Sequence, residues 1–506
     1  MTDTIAAVPS GKSQPSTFLR WMALLLISLA MFGNYYIYDS ISPLADLLKE
    51  QLKFSDSQIG LLNAIYSFPN IIMVLIGGIV IDRIGTRKSV FIFTGIIMVG
   101  ALVTALQGNI ITMAAGRLIF GLGAESMIVA ITTIIARWFK GKELSFAFGL
   151  NLTVARLGSF LALNSPTLAK KLFSSWQYPL WITVAAGIFA MLCILFYYYL
   201  DVYATKKYEM PKDGEQDKVE FKSFITFSKI RLIVAVLIII LVDVFLIRFM
   251  EDIVSMVAIH VIILVITFLN YKTFSLSFWF ITALCVTFYS AMFPFQTFAI
   301  KFFQEAHGTT REVGGNLSSL LTLAAMFMTP LFGLLADKIG KRSLLMMFGS
   351  LLIIPVYLIM AYKFDLASFI GLHGGLEIDM AFFGIEKSVI PYYLIIPMSM
   401  MGIAFSLVPA IMWPSVSLIV PNEKLGTAYG LMTMIQNVGL FGFNILIGWA
   451  NDFSQASATN PGGYKLGMWI FSILGFLGLF FAYMLRRTEN AKGGHTLEMG
   501  SIHKKE

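Results

Sequence analysis

The sequence predicts an all-α integral membrane protein with fourteen transmembrane helices, and two features of its composition carry that prediction. Of the 506 residues, 57% are hydrophobic and only 13% are charged. Soluble domains carry about 25% charged residues, so the polar surface is too small for a water-soluble globule. Long apolar runs recur along the whole chain. The solvent that this composition indicates is a lipid bilayer.

The apolar runs indicate where the helices lie. A run of about 20 mostly apolar residues is long enough to cross the hydrocarbon core as a helix. The first run has no small-residue cleavage pattern behind it, so it predicts a membrane-spanning helix and not a signal peptide. The predicted spans are residues 18–42, 58–81, 88–107, 110–135, 145–167, 178–200, 231–250, 252–271, 275–302, 314–336, 343–362, 389–415, 425–448 and 464–485.

The net charge of +8 indicates membrane topology and lipid contact. Nucleic-acid binding needs a basic patch in polar company, whereas the Lys and Arg residues here are scattered between apolar spans, so no nucleic-acid partner is predicted. An even number of spans puts both termini on one side. Lys and Arg are more numerous on that side once the tails and the central linker are counted, which predicts cytoplasmic termini.

A short motif occurs twice, once in each half of the chain. Residues 78–88 read GIVIDRIGTRK after the second predicted span, and residues 333–342 read GLLADKIGKR after the tenth. The repeated motif resembles the loop signature of the major facilitator superfamily, in which two bundles of six helices each carry one copy between their second and third helices. The resemblance implies a twelve-helix core, with two additional helices between its halves.

The two additional helices are predicted to form an inserted transmembrane hairpin. Their spans are joined by almost no turn and follow a charged linker. Asp243 and His260 lie at similar distances from that turn, so they can pair across it. The predicted segments are a cytoplasmic tail (1–17), a six-helix bundle (18–200), a cytoplasmic linker (201–230), the hairpin (231–271), a second six-helix bundle (275–486) and a second cytoplasmic tail (487–506).

The charges of the repeated motif indicate a conformational role. A carboxylate there can meet the positive N-terminal end of a helix from elsewhere in the bundle, and the neighbouring cations can hold or release that contact. The resemblance implies that such loops favour the inward-closed state. The alternative is that these charges are solvated and only set the topology. The residues concerned are Asp82, Arg83, Arg87, Asp337, Lys338 and Arg342.

Ionisable residues far from helix ends are the most informative. Each costs about 2.5–3.5 kcal/mol or more in lipid, so each should face a cavity or a partner. Glu125 and Arg156 both lie near mid-span, where transporters bind their solutes. They can form a salt bridge with each other, or they can stand apart and hold a zwitterion, with Glu125 on its ammonium and Arg156 on its carboxylate. The deep ionisable residues are Asp39, Arg117, Glu125, Arg156 and Asp243.

Further motifs are similar to one branch of the superfamily, the lysosomal dipeptide uniporters of animals. They are GLGAES at 121–126, RWFKGKELSFAFGL at 137–150, ARLGS at 155–159 and LGTAYG at 425–430. The resemblance implies that Glu125 and Arg156 recognise the two ends of a peptide. The hairpin, the loop at 363–387 and the lack of an acidic dileucine signal depart from that branch, so a bacterial inner membrane is predicted in preference to a lysosomal one.

Other polar residues on the predicted spans are candidates for lining a cavity polar enough for a peptide. They can equally serve as hydrogen-bonding groups between helices. For Arg117, which matches an arginine pattern in the superfamily's fourth helix, a role in structure or conformational coupling is favoured over contact with the solute. The candidates are Tyr35, Tyr38, Asn151, Tyr289, Gln296, Trp413, Gln436 and Asn437.

The predicted function is transport of a dipeptide or another small zwitterionic solute by alternating access. Uniport is the first interpretation, and protonation of Asp39 or Glu125 would permit proton symport of peptides, amino acids or organic anions. A non-transporting sensor of the same fold is the alternative from another class. No enzyme, cofactor or metal is predicted, because the sequence lacks a phosphate-binding GxxxxGK[ST] motif and a metal-spaced His or Cys cluster. Membrane lipids are expected partners, and an accessory subunit is left open.

Overall fold

The computed structural model describes most of the chain. The described residues are 15–139, 143–208, 229–246, 274–380, 385–421 and 424–491, with His260, Ile263, Thr267 and Leu497. A few side chains within these ranges, including that of Asp82, lie outside the description.

The first half of the chain folds into one bundle of long helices. Side-chain caps fix several helix starts: Ser16 accepts from the backbone N–H of Leu19, and Ser55 forms a capping box with Gln58. The helices are α1 (Thr17–Asp39), α2 (Ala45–Leu52), α3 (Asp56–Ile84), α4 (Thr86–Leu106), α5 (Ile110–Trp138), α6 (Leu144–Leu163), α7 (Ser165–Leu168) and α8 (Gln177–Lys207).

The second half forms another bundle after a separate helix, α9. Ser275 and Thr310 cap the starts of α10 and α11 through their side-chain oxygens. The helices are α9 (Lys229–Leu246), α10 (Leu276–His307), α11 (Arg311–Ile339), α12 (Arg342–Ala361), α13 (Leu366–Phe369), α14 (Tyr392–Ile419), α15 (Leu425–Phe453) and α16 (Lys465–Ala491).

The class predicted from the sequence, an α-helical integral membrane protein, is confirmed. Among the described residues, 11 helical segments are long and apolar enough to cross a membrane. The count of fourteen is not tested in full, because the predicted span 252–271 lies almost entirely outside the described residues. Of the predicted hairpin, α9 is described, and the expected pair is confirmed: His260 Nε2 lies 2.6 Å from Asp243 Oδ1.

The two copies of the repeated motif have the same local structure. Each lies where one long helix ends and the next begins, α3 to α4 and α11 to α12. Gly85 and Gly340 occupy these junctions with φ of +83° and +68°. Only glycine adopts such backbone angles without strain, so the repeat in the sequence corresponds to a repeated tight junction between antiparallel helices.

One element was not expected from the sequence. Residues 363–387 were predicted to form a loop between two spans, but strand β1 (Gly375–Met380) pairs in antiparallel fashion with β2 (Ile385–Pro391). Leu376, Ile378 and Met380 alternate with acidic residues, which is the period-two pattern of a strand. A search for long apolar runs passes over this short pattern.

The two bundles are packed together most closely at one end. We call the end at which α1 begins and α16 ends the terminus side, and the opposite end the far side. Helix α3 packs on α15 and α6 packs on α11 across the bundle boundary. A Cβ atom at Gly60 would lie 2.4 Å from the carbonyl oxygen of Asn444, and one at Gly315 would lie 2.3 Å from that of Leu163. Glycine therefore permits backbone contact between the bundles toward the far side.

Candidate functional site

A polar cavity of about 230 Å³ lies between the two bundles. Helices from both halves contribute to its wall, so a solute inside it would contact both bundles. Among the residues expected to bind the solute, Tyr35, Tyr38, Glu125, Arg156, Tyr289, Trp413, Gln436 and Asn437 line this cavity. Six further residues line the same cavity, although the sequence did not indicate them as solute contacts: Asn34, Tyr66, Ile128, Phe293, Thr433 and Leu440.

Glu125 projects into the cavity from α5. The hydroxyl group of Tyr66 on α3 donates to Glu125 Oε1 at 3.0 Å. The ring of Tyr66 is held edge-on against the ring of Tyr38, with 4.8 Å between centroids. No cation pairs with Glu125 among the ion pairs of the described residues. Its carboxylate therefore keeps acceptor capacity for a cationic group in the cavity.

Arg156 on α6 lies between two aromatic rings. Its guanidinium carbon is 5.5 Å from the ring centre of Tyr35 and 5.3 Å from that of Phe405. Tyr35 belongs to the first bundle and Phe405 to the second. Cation–π contacts satisfy the faces of a guanidinium and leave its N–H edges available for an acceptor.

Glu125 and Arg156 form no salt bridge with each other in the described structure. The direct salt bridge that the sequence allowed between these two residues is therefore not observed. Two opposite charges on separate walls of one cavity can bind the two ends of a zwitterion.

The second bundle supplies aromatic and amide groups. Trp413 Nε1 donates to the Tyr289 hydroxyl at 2.9 Å, and the Tyr289 ring stacks on that of Phe293 at 5.5 Å with an interplanar angle of 10°. On α15, Gln436 Oε1 accepts from the Cys285 thiol at 3.5 Å, and Asn437 Nδ2 donates to the Thr433 carbonyl at 3.0 Å. These contacts hold the side chains in place around the cavity.

Two residues expected at the site lie outside the main cavity. Asn151 on α6 accepts from the Ser28 hydroxyl of α1 at 3.1 Å and is buried, so it acts as a hydrogen-bonding group between helices. Gln296 lines a separate small cavity of about 10 Å³, together with Asp39 and Tyr38. Tyr38 borders both cavities, which puts Asp39 behind the wall of the larger one.

Arg117 is fully enclosed and serves the structure of the first bundle. Its guanidinium donates to the backbone carbonyls of Ile37, Tyr38 and Leu62 and to Asn63 Oδ1, at 3.0–3.2 Å. Ile37 and Tyr38 belong to the last turn of α1, where unpaired carbonyls favour a cation. Arg117 therefore joins α5 to the ends of α1 and α3.

On the terminus side, the charges near the repeated motif pair within their own halves. Arg87 and Arg137 both reach the carboxylate of Asp201 on α8, at 3.3 and 3.0 Å. Asp337 meets Arg342 in the same loop at 2.6 Å, instead of a helix end from elsewhere in the bundle. Arg83 and Lys338 are exposed. The Asp82 side chain lies outside the described residues.

On the far side, buried ion pairs join the two bundles. Lys301 Nζ contacts both carboxylate oxygens of Asp56 at 2.5 Å, and both side chains are 0% exposed. Arg311 reaches Asp46 at 2.6 Å. The Asp452 carboxylate accepts the backbone N–H of Asp56 at 2.8 Å. Sequence reasoning missed these pairs because the charges lie near predicted span ends and the partners are distant in sequence.

Two helical bundles around a shared polar cavity are the architecture of a membrane transporter. The sequence pattern of the Major Facilitator Superfamily matches residues 27–295 and again 278–504. The chain belongs to the major facilitator superfamily, as its repeated motif predicted. It is a multi-pass membrane transporter and not an enzyme.

Several other transporters are similar in sequence to this chain. The human lysosomal dipeptide transporter MFSD1 is 29% identical over 452 residues, covering 85% of this chain and 79% of the relative. The MFSD1 protein of Danio rerio is also 29% identical and covers 85% and 80%. A galacturonate transporter of Dickeya chrysanthemi is 28% identical over 208 residues, which is 41% of this chain and 57% of that protein.

Solved structures of other transporters share the fold. The POT family transporter PepTSo has a TM-score of 0.68 with 14% identity, over 94% of this chain and 99% of that one. The nucleoside transporter NupG has a TM-score of 0.63 with 13% identity, over 92% and 99%. At this identity the likeness concerns the fold alone.

Proposed function

We propose that this transporter carries dipeptides by uniport, with Glu125 and Arg156 holding the two ends of the zwitterion. The observation that supports the proposal most is that these opposite charges line one cavity without pairing with each other. The similarity to lysosomal dipeptide transporters over most of the chain supports the same solute class.

Each end of a dipeptide has a matching group in the cavity. The carboxylate of Glu125 takes the ammonium group in a charge-assisted hydrogen bond. The guanidinium of Arg156 takes the carboxylate through two parallel N–H groups, oriented by the rings of Tyr35 and Phe405. Gln436 and Asn437 on α15 add amides that can bond the peptide backbone. Uncharged side chains of the solute would lie against Tyr289, Phe293 and Trp413.

Transport requires the cavity to open to each side in turn. The ion pairs between the bundles lie on the far side, so this conformation is closed there. We assign the terminus side to the cytoplasm, on the Lys and Arg distribution, and the conformation is then inward-facing. The bacterial inner membrane expected from the sequence gains no support from relatives that are named as lysosomal, and the membrane that houses the protein stays a prediction.

Uptake into liposomes tests the proposal. Reconstituted protein is expected to exchange labelled dipeptide for internal unlabelled dipeptide at equal pH on both sides, and to move no protons with it. Proton flux that follows dipeptide entry would contradict uniport and favour symport. If dipeptide does not enter while amino acids or organic anions do, the solute assignment is wrong. If nothing enters, the sensor alternative is favoured.

Single variants test the two charged residues. Glu125→Gln and Arg156→Ala should each abolish the rise in melting temperature that a dipeptide causes in the wild-type protein, while the folded state persists. Matched controls are Glu50→Gln and Arg487→Ala, which alter exposed charges outside the cavity and should keep the full rise. A retained rise in either cavity variant would contradict its role.

A further inference from the structure

The two charged residues of the cavity are held by different parts of the protein. Glu125 accepts a hydrogen bond from Tyr66, and the Tyr66 ring packs against Tyr38. These three residues belong to the first bundle. Arg156 belongs to the same bundle, but its guanidinium carbon lies 5.3 Å from the ring centre of Phe405 in the second. Among the polar and aromatic contacts of the described residues, the second bundle therefore reaches the group proposed for the solute carboxylate and not the group proposed for the ammonium.

Phe405 is itself fixed within the second bundle. It lies on α14, is 3% exposed and meets the ring of Phe293 edge-on, with 5.8 Å between centroids and an interplanar angle of 86°. Phe293 in turn stacks on Tyr289. Edge-to-face and offset stacked pairs are the favourable arrangements of aromatic rings. The second bundle therefore sets the position of the ring that faces Arg156.

A ring held in this way restricts the guanidinium of Arg156. The other aromatic neighbour of that guanidinium is Tyr35 of the first bundle, at 5.5 Å. A long side chain loses rotamer freedom when a ligand immobilises it, and this loss weakens binding. Attraction to a ring from each bundle removes part of that freedom before the solute arrives. Without Phe405, a carboxylate would have to select one orientation of the guanidinium from several.

We propose that Phe405 is a positioning residue through which the second bundle takes part in recognising the solute carboxylate, while the first bundle alone recognises the ammonium group. The inference rests on the proposed function. Carboxylate binding then depends on the contact between α6 and α14, and by reciprocity a bound carboxylate stabilises that contact. A solute with a free carboxylate holds the two bundles together at this point more strongly than a solute without one.

The test compares two ligands that differ only at the carboxyl end. Alanylalanine has the carboxylate, and its C-amide keeps the ammonium group but has a neutral end. Affinities for purified full-length protein are measured by titration calorimetry. Phe405→Leu should bind alanylalanine about three- to tenfold more weakly than the wild type does, the cost of ordering one long side chain. The affinity for the C-amide should be unchanged, because Glu125 keeps its hydrogen bond.

Phe441→Leu is the matched control. Phe441 is another fully buried ring of the second bundle that meets the first bundle, with 5.9 Å between its centroid and that of Phe68. Its loss should lower the melting temperature and leave the preference for the free carboxylate as in the wild type. If Phe405→Leu weakens the binding of both ligands by the same factor, its effect is on packing in general and the inference is overturned. Unchanged binding of both ligands would overturn it as well.

A replacement of nearly the same shape covers the case in which Phe405→Leu does not fold. Trifluorophenylalanine at position 405 keeps the ring but withdraws electron density from its face, which weakens its attraction to a cation. The affinity for alanylalanine should fall and that for the C-amide should not. Wild-type affinities for both ligands would contradict the inference. If the wild type binds no dipeptide, or binds both ligands equally, the proposed function itself fails.

Discussion

The two ends of the bundle boundary hold their charges in different ways. On the far side, Lys301 and Arg311 of the second bundle meet Asp56 and Asp46 of the first. On the terminus side, Asp201 pairs with arginines of its own bundle and Asp337 pairs within its own loop. The contacts of Lys301, Arg311 and Asp452 that join the bundles all lie in the far half.

The difference between the two sides shows how one conformation is selected. A charge pair across the boundary stabilises the state in which its ends are close, and a pair within one bundle is compatible with either state. The far-side pairs thus favour far-side closure. The repeated motif belongs to the other side, where its Arg83 and Lys338 side chains are exposed. We propose that they contact the opposite bundle when that side closes.

The largest effect is expected from Lys301→Met. The change leaves the Asp56 carboxylate buried without its close partner, which costs about 3–5 kcal/mol. The melting temperature should fall strongly, and Lys301→Met combined with Asp56→Asn should recover much of the loss. Lys49→Met is the control, because Lys49 is partly exposed and lies 3.5 Å from Asp56. A wild-type melting temperature for Lys301→Met would contradict a stabilising role for the pair.

An intermediate effect is expected from Asp46→Asn. This change weakens the contacts to Arg311 and Gln304, at about 1.5–3 kcal/mol for bonds to a charged group. The far side should then open more often. With Cys193 and Cys285 replaced by Ala, a Ser42→Cys label site should react faster with a membrane-impermeant thiol reagent in the Asp46→Asn background.

Ser42 is a suitable reporter because it is buried and its hydroxyl bonds the Gln296 carbonyl across the boundary. Glu50→Asn, a change at an exposed residue of the same helix, is the control for a non-specific effect of lost charge. Equal labelling rates with and without Asp46→Asn would show that the Asp46 pair does not hold the far side closed.

The smallest effect on stability is expected from Asp337→Asn on the terminus side. The Asp337 side chain is 68% exposed, and an exposed ion pair contributes less than about 1 kcal/mol. The melting temperature and dipeptide binding should therefore stay close to those of the wild type. The uptake rate should fall, because we expect the motif to act when this side closes. An unchanged uptake rate would support the alternative that these charges only set the topology.

The helices and the depth of two charges could be predicted because both follow from local sequence. A long apolar run needs a bilayer wherever it occurs, and a charge at mid-span is costly unless a cavity or partner receives it. That reasoning pointed to Glu125 and Arg156, which the structure puts around one cavity. The repeated motif was also visible in the local sequence, but the role of Gly85 and Gly340 at its two junctions emerged only from their backbone angles.

What was not predicted depends on contacts between distant parts of the chain. Lys301 and Asp56 are 245 residues apart, and no local pattern relates them. Asn151 was expected at the cavity as one of the polar residues on the predicted spans, but its side chain accepts a hydrogen bond from Ser28 on α1. Asn34 precedes Tyr35, which was chosen, and only the packed structure shows that its oxygen lacks a partner.

The central claim is that Glu125 and Arg156 bind opposite ends of one dipeptide, and ligand variants test it most directly. Affinities are measured for a dipeptide, its N-acetyl form and its C-amide form, with wild type, Glu125→Gln and Arg156→Ala. Each capped ligand should bind the wild type weakly. In Glu125→Gln, the N-acetyl dipeptide and the free dipeptide should bind with similar affinities. In Arg156→Ala, the same should hold for the C-amide and the free dipeptide. Equal losses for both caps in all three proteins would contradict the claim.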